Sequence, residues 1–343
     1  MTTAQVLRET ETGYLATTLT VSAGGEHTLV RRAGSDRPQR PVPSSAHLAQ
    51  VARAVGSACR TSAGQSRGAG WHHPVPGPAS LAPLLTAGMR EAPLLGLCGS
   101  VGTALAEVHA TAPQEPLDEP SGLGRLRSWS AAGPRAAGRA LDVVAAELGA
   151  DGLGALLADL DAAAASTPAA TLLGAPGSQA VYPDPDGGPP TVLVTDEIAC
   201  GPPAWDLGWF VGELVERSLG APGAGDALEQ AARHLLRAHA ETAGAPTAPQ
   251  DVADAAAARI LVHVHDYASY VGWHDSLRER VQAVARLRTP PGHGSAAVTG
   301  RGPDRGAAWF TPAPAGTGAS PPTSVAPSTT SSTTPSHEHQ EST

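Results

Sequence analysis

The chain has 343 residues and a formal net charge of −9, with 16% charged and only 3% aromatic residues. Its 23 Lys+Arg residues are all Arg and it contains no Asn, so no Lys can clamp a phosphate and no Asn can ligate a metal. The apolar runs fall short of the about 20 residues that cross a bilayer, residues 1–15 lack the basic and apolar regions of a signal peptide, and an acidic chain without an Arg-rich, aromatic-interleaved run is not expected to bind nucleic acid; a cytoplasmic protein is expected.

Residues 17–22 (TTLTVS) are β-branched and alternating, Gly24-Gly25 follow, and residues 26–32 (EHTLVRR) continue the pattern. Two strands around a Gly-Gly turn predict a hairpin. Residues 34–43 read as a loop. Ser44-Ser45 then cap a predicted helix over 46–55, with Leu48, Val51, Ala52 and Val55 at helical spacing. Residues 61–80 are rich in Gly, Ser and Pro, hold Trp71, His72 and His73, and read as a loop. Leu94, Leu97, Val101, Leu105 and Val108 mark a helix from 92 to about 109. Residues 111–122 form a Pro-rich loop, and Ala/Leu-rich helices are predicted over 134–148 and 151–164.

The period then changes. Residues 171–173 and 180–182 are short extended pieces, 184–190 (DPDGGPP) a tight turn, and 191–195 (TVLVT) a buried strand, together predicting a β-hairpin over 171–195. Helices follow over 204–219, 226–242, 251–270 and 273–287. Residues 312–343 are dominated by Pro, Ser and Thr and are expected to be disordered. The predicted class is α+β: an N-terminal lobe over 1–85 with a small antiparallel sheet and one helix, a helical lobe over 86–290 carrying the hairpin, and a tail over 291–343.

Residues 191–214 (TVLVTDEIACGPPAWDLGWFVGEL) combine a buried strand, an acidic pair at its end, a Gly-Pro-Pro turn and a helix opening on Trp205-Asp206-Leu207. This resembles the aminoglycoside phosphotransferase family, and the order of elements over about 5–290 is consistent with it. The resemblance implies a bilobal, protein-kinase-like fold that binds ATP and Mg²⁺ between its lobes. It places the metal-binding Asp at Asp196. The strand-to-Gly spacing is one residue short, so Thr195 or Glu197 is the alternative. Asp206 takes the place of the family's structural Asp, and Arg31 or Arg32 that of the phosphate-pairing base. The acidic partner expected on the next helix is absent, Gln50 being the nearest polar residue.

The same resemblance exposes two losses. The family's catalytic loop opens on His-Gly-Asp and carries an Asn five residues after the Asp. Here residues 173–180 read LGAPGSQA, which puts Ala175 at the catalytic Asp and Ala180 at the metal-binding Asn. Phosphoryl transfer needs a metal bridging the phosphates and an oriented nucleophile, and a methyl group supplies neither.

The remaining motifs favour structural roles. His263 and His265, followed by Asp266, resemble a metal motif, but positions i and i+2 of a helix face different ways. Tyr267, Tyr270 and Trp273 form an aromatic stripe, expected in the core, with a substrate or partner groove as the alternative. Cys59, Cys98 and Cys200 have no CxxC spacing and are expected to be free, small hydrophobes.

Two classes of function follow. In the first, the chain is a divergent phosphotransferase that works with a partner on Ser/Thr hydroxyls of a peptide. The resemblance extends to the branch associated with lanthipeptide- and thioamitide-type biosynthesis, where phosphorylation precedes elimination by a separate lyase; this implies a peptide substrate and a lyase-type partner. In the second, it is a pseudokinase scaffold that binds a peptide or partner enzyme and transfers nothing. A helical binding protein without kinase ancestry is a third reading, which an N-terminal sheet would exclude.

Overall fold

The computed structural model describes residues 4–37, 41, 43–113, 115–132, 137–221, 223–289 and 309–310. A five-stranded antiparallel sheet opens the chain, in the order β1-β2-β3-β6-β5. Strands β1 (Gln5–Glu11), β2 (Leu15–Val21) and β3 (His27–Ala33) form a meander. Helix α1 (Ser45–Ala54) follows, its N-terminus capped by the Ser44 hydroxyl, which accepts from His47 N at 3.1 Å. Strands β4 (Arg60–Ala63), β5 (Gln65–Arg67) and β6 (Gly70–Val75) complete this part. Residues 61–80 therefore do not form a loop. Gly70 and Pro74 interrupt the alternation within β6, which hid the strand.

The helical part begins with α2 (Leu81–Thr86) and α3 (Glu91–His109). Helices α4 (Ser121–Ala132), α5 (Gly138–Leu148) and α6 (Gly152–Ser166) follow. The sequence reading missed α2 and α4, the second of which starts on a Gly-containing segment (SGLG) with weak apolar periodicity. Strands β7 (Ala170–Leu172), β8 (Val181–Tyr182), β9 (Thr191–Val194) and β10 (Ala199–Gly201) come next, with one 3-10 turn, Ser178–Ala180, before β8. The hairpin is narrower than predicted: β8 pairs with β9, whereas β7 pairs with β10. Helices α7 (Ala204–Gly220), α8 (Gly225–Ala243), α9 (Pro249–Tyr270) and α10 (Ser276–Arg288) close the domain. The architecture is the α+β, sheet-then-helices arrangement expected. The expected disorder of 312–343 lies outside the described residues.

With few aromatics, the core is built from close helix contacts. On α7, a Cβ at Gly208 would lie 2.4 Å from the Ala255 Cβ, and one at Gly212 2.7 Å from the Ala256 carbonyl oxygen, so α7 and α9 approach along a Gly/Ala seam. Cys59 and Cys98 are buried and free, and burial pushes both thiols up to about 12. No helix among the described residues is long and apolar enough to cross a membrane.

An apolar cluster joins the sheet to the helical part. Leu19, Leu29 and Val75 from the sheet pack in one apolar cluster with Ala180, Tyr182 and Leu193. Strand β4 is not part of that sheet: it pairs in parallel with β9, from Arg60 opposite Thr191 to Ala63 opposite Val194, in a three-stranded sheet of order β4-β9-β8.

Candidate functional site

The segment linking β7 to β8 is held from below by α7. Asp206, in the first turn of that helix, accepts from Leu173 N (2.7 Å) and Gly174 N (2.9 Å). Its other contact is His109 Nε2 at 3.2 Å, and His109 Nδ1 meets His239 Nε2 at 3.0 Å. Trp205 Nε1 donates to the Gly174 carbonyl at 2.8 Å. Gly174 has φ +82°, and a Cβ there would stand 1.9 Å from the Glu197 carbonyl oxygen, so glycine is required. Further along, Glu213 accepts from Ser178 N at 2.7 Å and from the Ser178 hydroxyl, and is paired with Arg217. The loop is thus positioned at both ends, yet its central residues are methyl-bearing. Ala175 is half-buried, and Ala180 is buried in the apolar cluster under the sheet.

Directly over Gly174, β9 ends in Thr195-Asp196-Glu197. Thr195 Oγ1 accepts from Glu197 N at 3.2 Å and so shapes the turn. Both carboxylates are engaged by one side chain, Arg37, from the segment after β3. Its Nη1 lies 2.8 Å from Asp196 Oδ2 and its Nη2 2.8 Å from Glu197 Oε1, and the Arg37 side chain is only 6% exposed. The Ser121 hydroxyl donates to Glu197 Oε2 at 2.5 Å. The Tyr14 hydroxyl, from the β1–β2 turn, lies 2.8 Å from Ser121 Oγ and 3.1 Å from Glu197 Oε1. The Arg125 guanidinium stacks 3.8 Å from the Tyr14 ring centre and pairs with Asp266.

Burial alone would raise the Glu197 pKa. Arg37, the Ser121 hydrogen bond, Arg31 and Arg125 outweigh it and hold the carboxyl below its usual range. Burial likewise opposes the Arg37 charge, but Glu197 and Asp196 reverse the balance and raise its pKa. Tyr14 is raised by burial and then by Glu197. The pair is thus charge-compensated from within the chain.

The other sequence-derived residues are placed as follows. Arg31 is half-buried on β3, its Nε buried without a hydrogen-bond partner, and its charge acts on Glu197, His73 and Tyr182. Arg32 is exposed and lies 3.6 Å from Glu9. Gln50 Oε1 is buried without a partner. His73 is buried on β6, its Nδ1 3.1 Å from the Ser62 carbonyl, and burial, then Arg31, lowers it to about 4. His263 and His265 diverge, the first to Glu216 and the second to Asp266. Tyr270 packs on the β1–β2 turn, where a Cβ at Gly13 would lie 2.4 Å from its ring, and Trp273 packs against Arg139.

The sequence reading missed Arg37, Tyr14, Ser121 and Arg125. Arg37 and Ser121 stand in or beside Pro-rich loops, where no periodicity marks a residue. Tyr14 carried the one available signal, an aromatic beside glycine at a strand turn in a chain with four Tyr.

A nucleotide with Mg²⁺ needs carboxylate oxygens and space between the lobes. Asp196 Oδ1 is buried and without a hydrogen-bond partner, so it is one available oxygen. Asp196 Oδ2 and Glu197 are engaged by Arg37, Tyr14 and Ser121, and Ala175 and Ala180 offer no ligand. The apolar space beneath the sheet is filled by Tyr182 and Leu193, which are 1% and 2% exposed. As arranged, the acidic pair offers a metal ion Asp196 Oδ1, its other contacts being with Arg37, Tyr14 and Ser121. Among the described residues, no cluster of three or more His, Cys, Asp or Glu could hold a metal ion.

No protein-family model matches the chain, and no curated protein matches it. Solved structures do. Amicoumacin kinase hAmiN, in complex with AMP-PNP, Ca²⁺ and Ami, is 10% identical, with 82% of this chain and 88% of that one covered and a TM-score of 0.52. Choline kinase LicA from Streptococcus pneumoniae is 11% identical, with 82% and 93% covered and a TM-score of 0.51. These likenesses define the fold as the bilobal kinase-like one, shared with small-molecule phosphotransferases.

Proposed function

We propose that this chain is a pseudokinase: a kinase-fold scaffold that binds a peptide or a partner enzyme and does not itself transfer phosphate. One observation carries the reading. Arg37 bridges Asp196 and Glu197, occupying the acidic pair with a guanidinium. The alanines at 175 and 180 agree with it, since a positioned general base is worth about 10²–10⁴ in rate. The test is a thermal-unfolding series with ATP, Mg²⁺ and both together. No shift in melting temperature supports the scaffold. Transfer of phosphate from ATP by the unaltered chain, read as phosphate incorporation or ADP release, overturns it, whereas a saturable shift with ATP and Mg²⁺ removes only the support from the occupied acidic pair.

A second reading is favoured by Asp196 Oδ1, which is buried and unpaired, and by the loop that Asp206 holds in place. In this reading a partner draws Arg37 away, ATP and Mg²⁺ enter, and Ser/Thr hydroxyls of a bound peptide are phosphorylated before elimination by a lyase. Tight docking would replace much of the missing base, because the transition state of phosphoryl transfer is loose. Phosphate incorporation into a peptide only in the presence of a co-purifying partner would establish it.

A further inference from the structure

A second charged cluster lies in the helical part, apart from the acidic pair. A cavity of about 550 Å³ opens between α2, α7, α8, α9 and α10. None of Arg37, Asp196 and Glu197 lines it. One wall is apolar, with Leu85, Met89, Leu94 and Leu228; the other carries Glu213, Glu216, Arg217, Arg259, Arg280 and His263.

The charges on this wall do not balance. Glu216, whose side chain is 5% exposed, receives Arg259 on one oxygen and both Arg280 and His263 on the other. Glu213 is already taken up by Ser178 and Arg217. Three guanidiniums therefore face two carboxylates. Away from this wall, Asp266, which is paired with Arg125, acts on Arg259, and the exposed Glu279 acts on Arg280. The excess is felt within the cluster: burial, then Arg259 and Arg280, lowers the His263 pKa to about 3, so the imidazole is neutral and adds no charge. Burial also lowers Arg259, with Arg280 adding to the effect against Glu213. Arg259 and Arg280 share the one carboxylate of Glu216, and a guanidinium binds carboxylate in a planar, bidentate manner. The wall is reached from solvent, the His263 side chain being 40% exposed.

The geometry points to a binding site for a small organic monoanion, a carboxylate on an apolar body, with the carboxylate on Arg259 and Arg280 and the body against Leu85, Met89, Leu94 and Leu228. The volume falls within the range of small-molecule sites. A single negative charge neutralises the surplus, whereas a dianion would reverse it. This site does not depend on whether the kinase-like cleft is active.

Isothermal titration of the full chain with octanoate, octan-1-ol and octyl phosphate tests the assignment. Octanoate should bind at one site, more tightly than the other two. Ala227→Phe, which fills the cavity and leaves every charge in place, should remove binding, and Arg280→Gln should weaken it by about tenfold. Absence of octanoate binding, equal binding of octan-1-ol, tighter binding of octyl phosphate, or octanoate binding unchanged in both folded variants would overturn the proposal. The comparison of the three probes on the unaltered chain requires no variant to fold.

Discussion

Arg37 Nη1 stands 2.8 Å from Asp196 Oδ2, and the other arm of the same guanidinium reaches Glu197. A cation of the chain thus occupies the face of the acidic pair that a divalent ion would need. The first two predictions start from this contact.

Arg37→Gln leaves two adjacent buried carboxylates with their main counter-charge removed. Breaking such a buried arrangement costs about 3–5 kcal/mol. Urea denaturation at neutral pH should show a loss of this order. Mg²⁺ or Ca²⁺ should then raise the melting temperature of the variant, with no effect on the parent. A variant as stable as the parent and blind to both ions would show that the contact neither stabilises the fold nor blocks a cation.

Placing Asp at position 175 and Asn at position 180 should not be enough for catalysis. Ala175→Asp with Ala180→Asn should show no ATP hydrolysis above background while Arg37 is in place. Adding Arg37→Gln should permit Mg²⁺-dependent nucleotide binding, read by thermal shift. Nucleotide binding by the double variant alone would show that Arg37 is no obstacle.

Asp206→Ala removes the acceptor for two buried backbone N–H groups and the partner of His109. Each unsatisfied buried donor costs about 1–3 kcal/mol, so destabilisation of about 3–5 kcal/mol is expected from chemical denaturation. Asp206→Asn, which retains one acceptor, should lose less. Equal losses in the two variants would mean that the carboxylate charge matters more than the number of acceptors.

Acid should weaken the fold in two stages. His73 and His239 are buried, and burial first lowers both to about 4 from an ordinary 6.5. The unfolded chain takes up these protons first, so stability falls as the pH drops from about 6.5 towards 4. The Glu197 pKa is also lowered from its ordinary 4.5, so its contribution is present above that value and is lost as the pH falls through the still lower folded value. His239→Gln should reduce the first stage by on the order of 3 kcal/mol and leave the second intact. A melting temperature that is flat between pH 6.5 and 4 would contradict the first stage.

Much of the helical lobe could be read from the sequence. The Leu/Val spacing of α3 and the apolar faces of α8 and α9 are local patterns, as is the Ser44 cap. The expectation that Asp206 is structural came with the family resemblance of residues 191–214, and in the structure Asp206 accepts from Leu173 N and Gly174 N. Strands β4, β5 and β6 were hidden because they are short and broken by Gly and Pro. The Arg37–Glu197 contact was hidden for a different reason. It joins residues 160 positions apart, and neither end carries a periodic signature. A charge count would have found a surplus of acid at the end of β9, but not which of 23 arginines answers it.

The parallel pairing of β4 with β9 has a mechanical consequence. In a two-lobed protein linked by a single connector, the lobes can swing apart at the cost of side-chain contacts. Here a backbone ladder holds β4 beside β9, reinforced at its ends by Arg60 N to Pro190 O (2.8 Å) and Gly64 N to Val194 O (3.1 Å). The five-stranded sheet has no strand in this ladder, so a tilt of that sheet about Gly64, between β4 and β5, would leave the ladder intact. Amide protons of Ser62, Gly64, Val192 and Val194, which donate across the ladder, should exchange more slowly than those of Thr61 and Ala63, which point away from it. Movement of that sheet would carry Arg37 and Tyr14 with it while Asp196 and Glu197, at the end of β9, stay with the ladder.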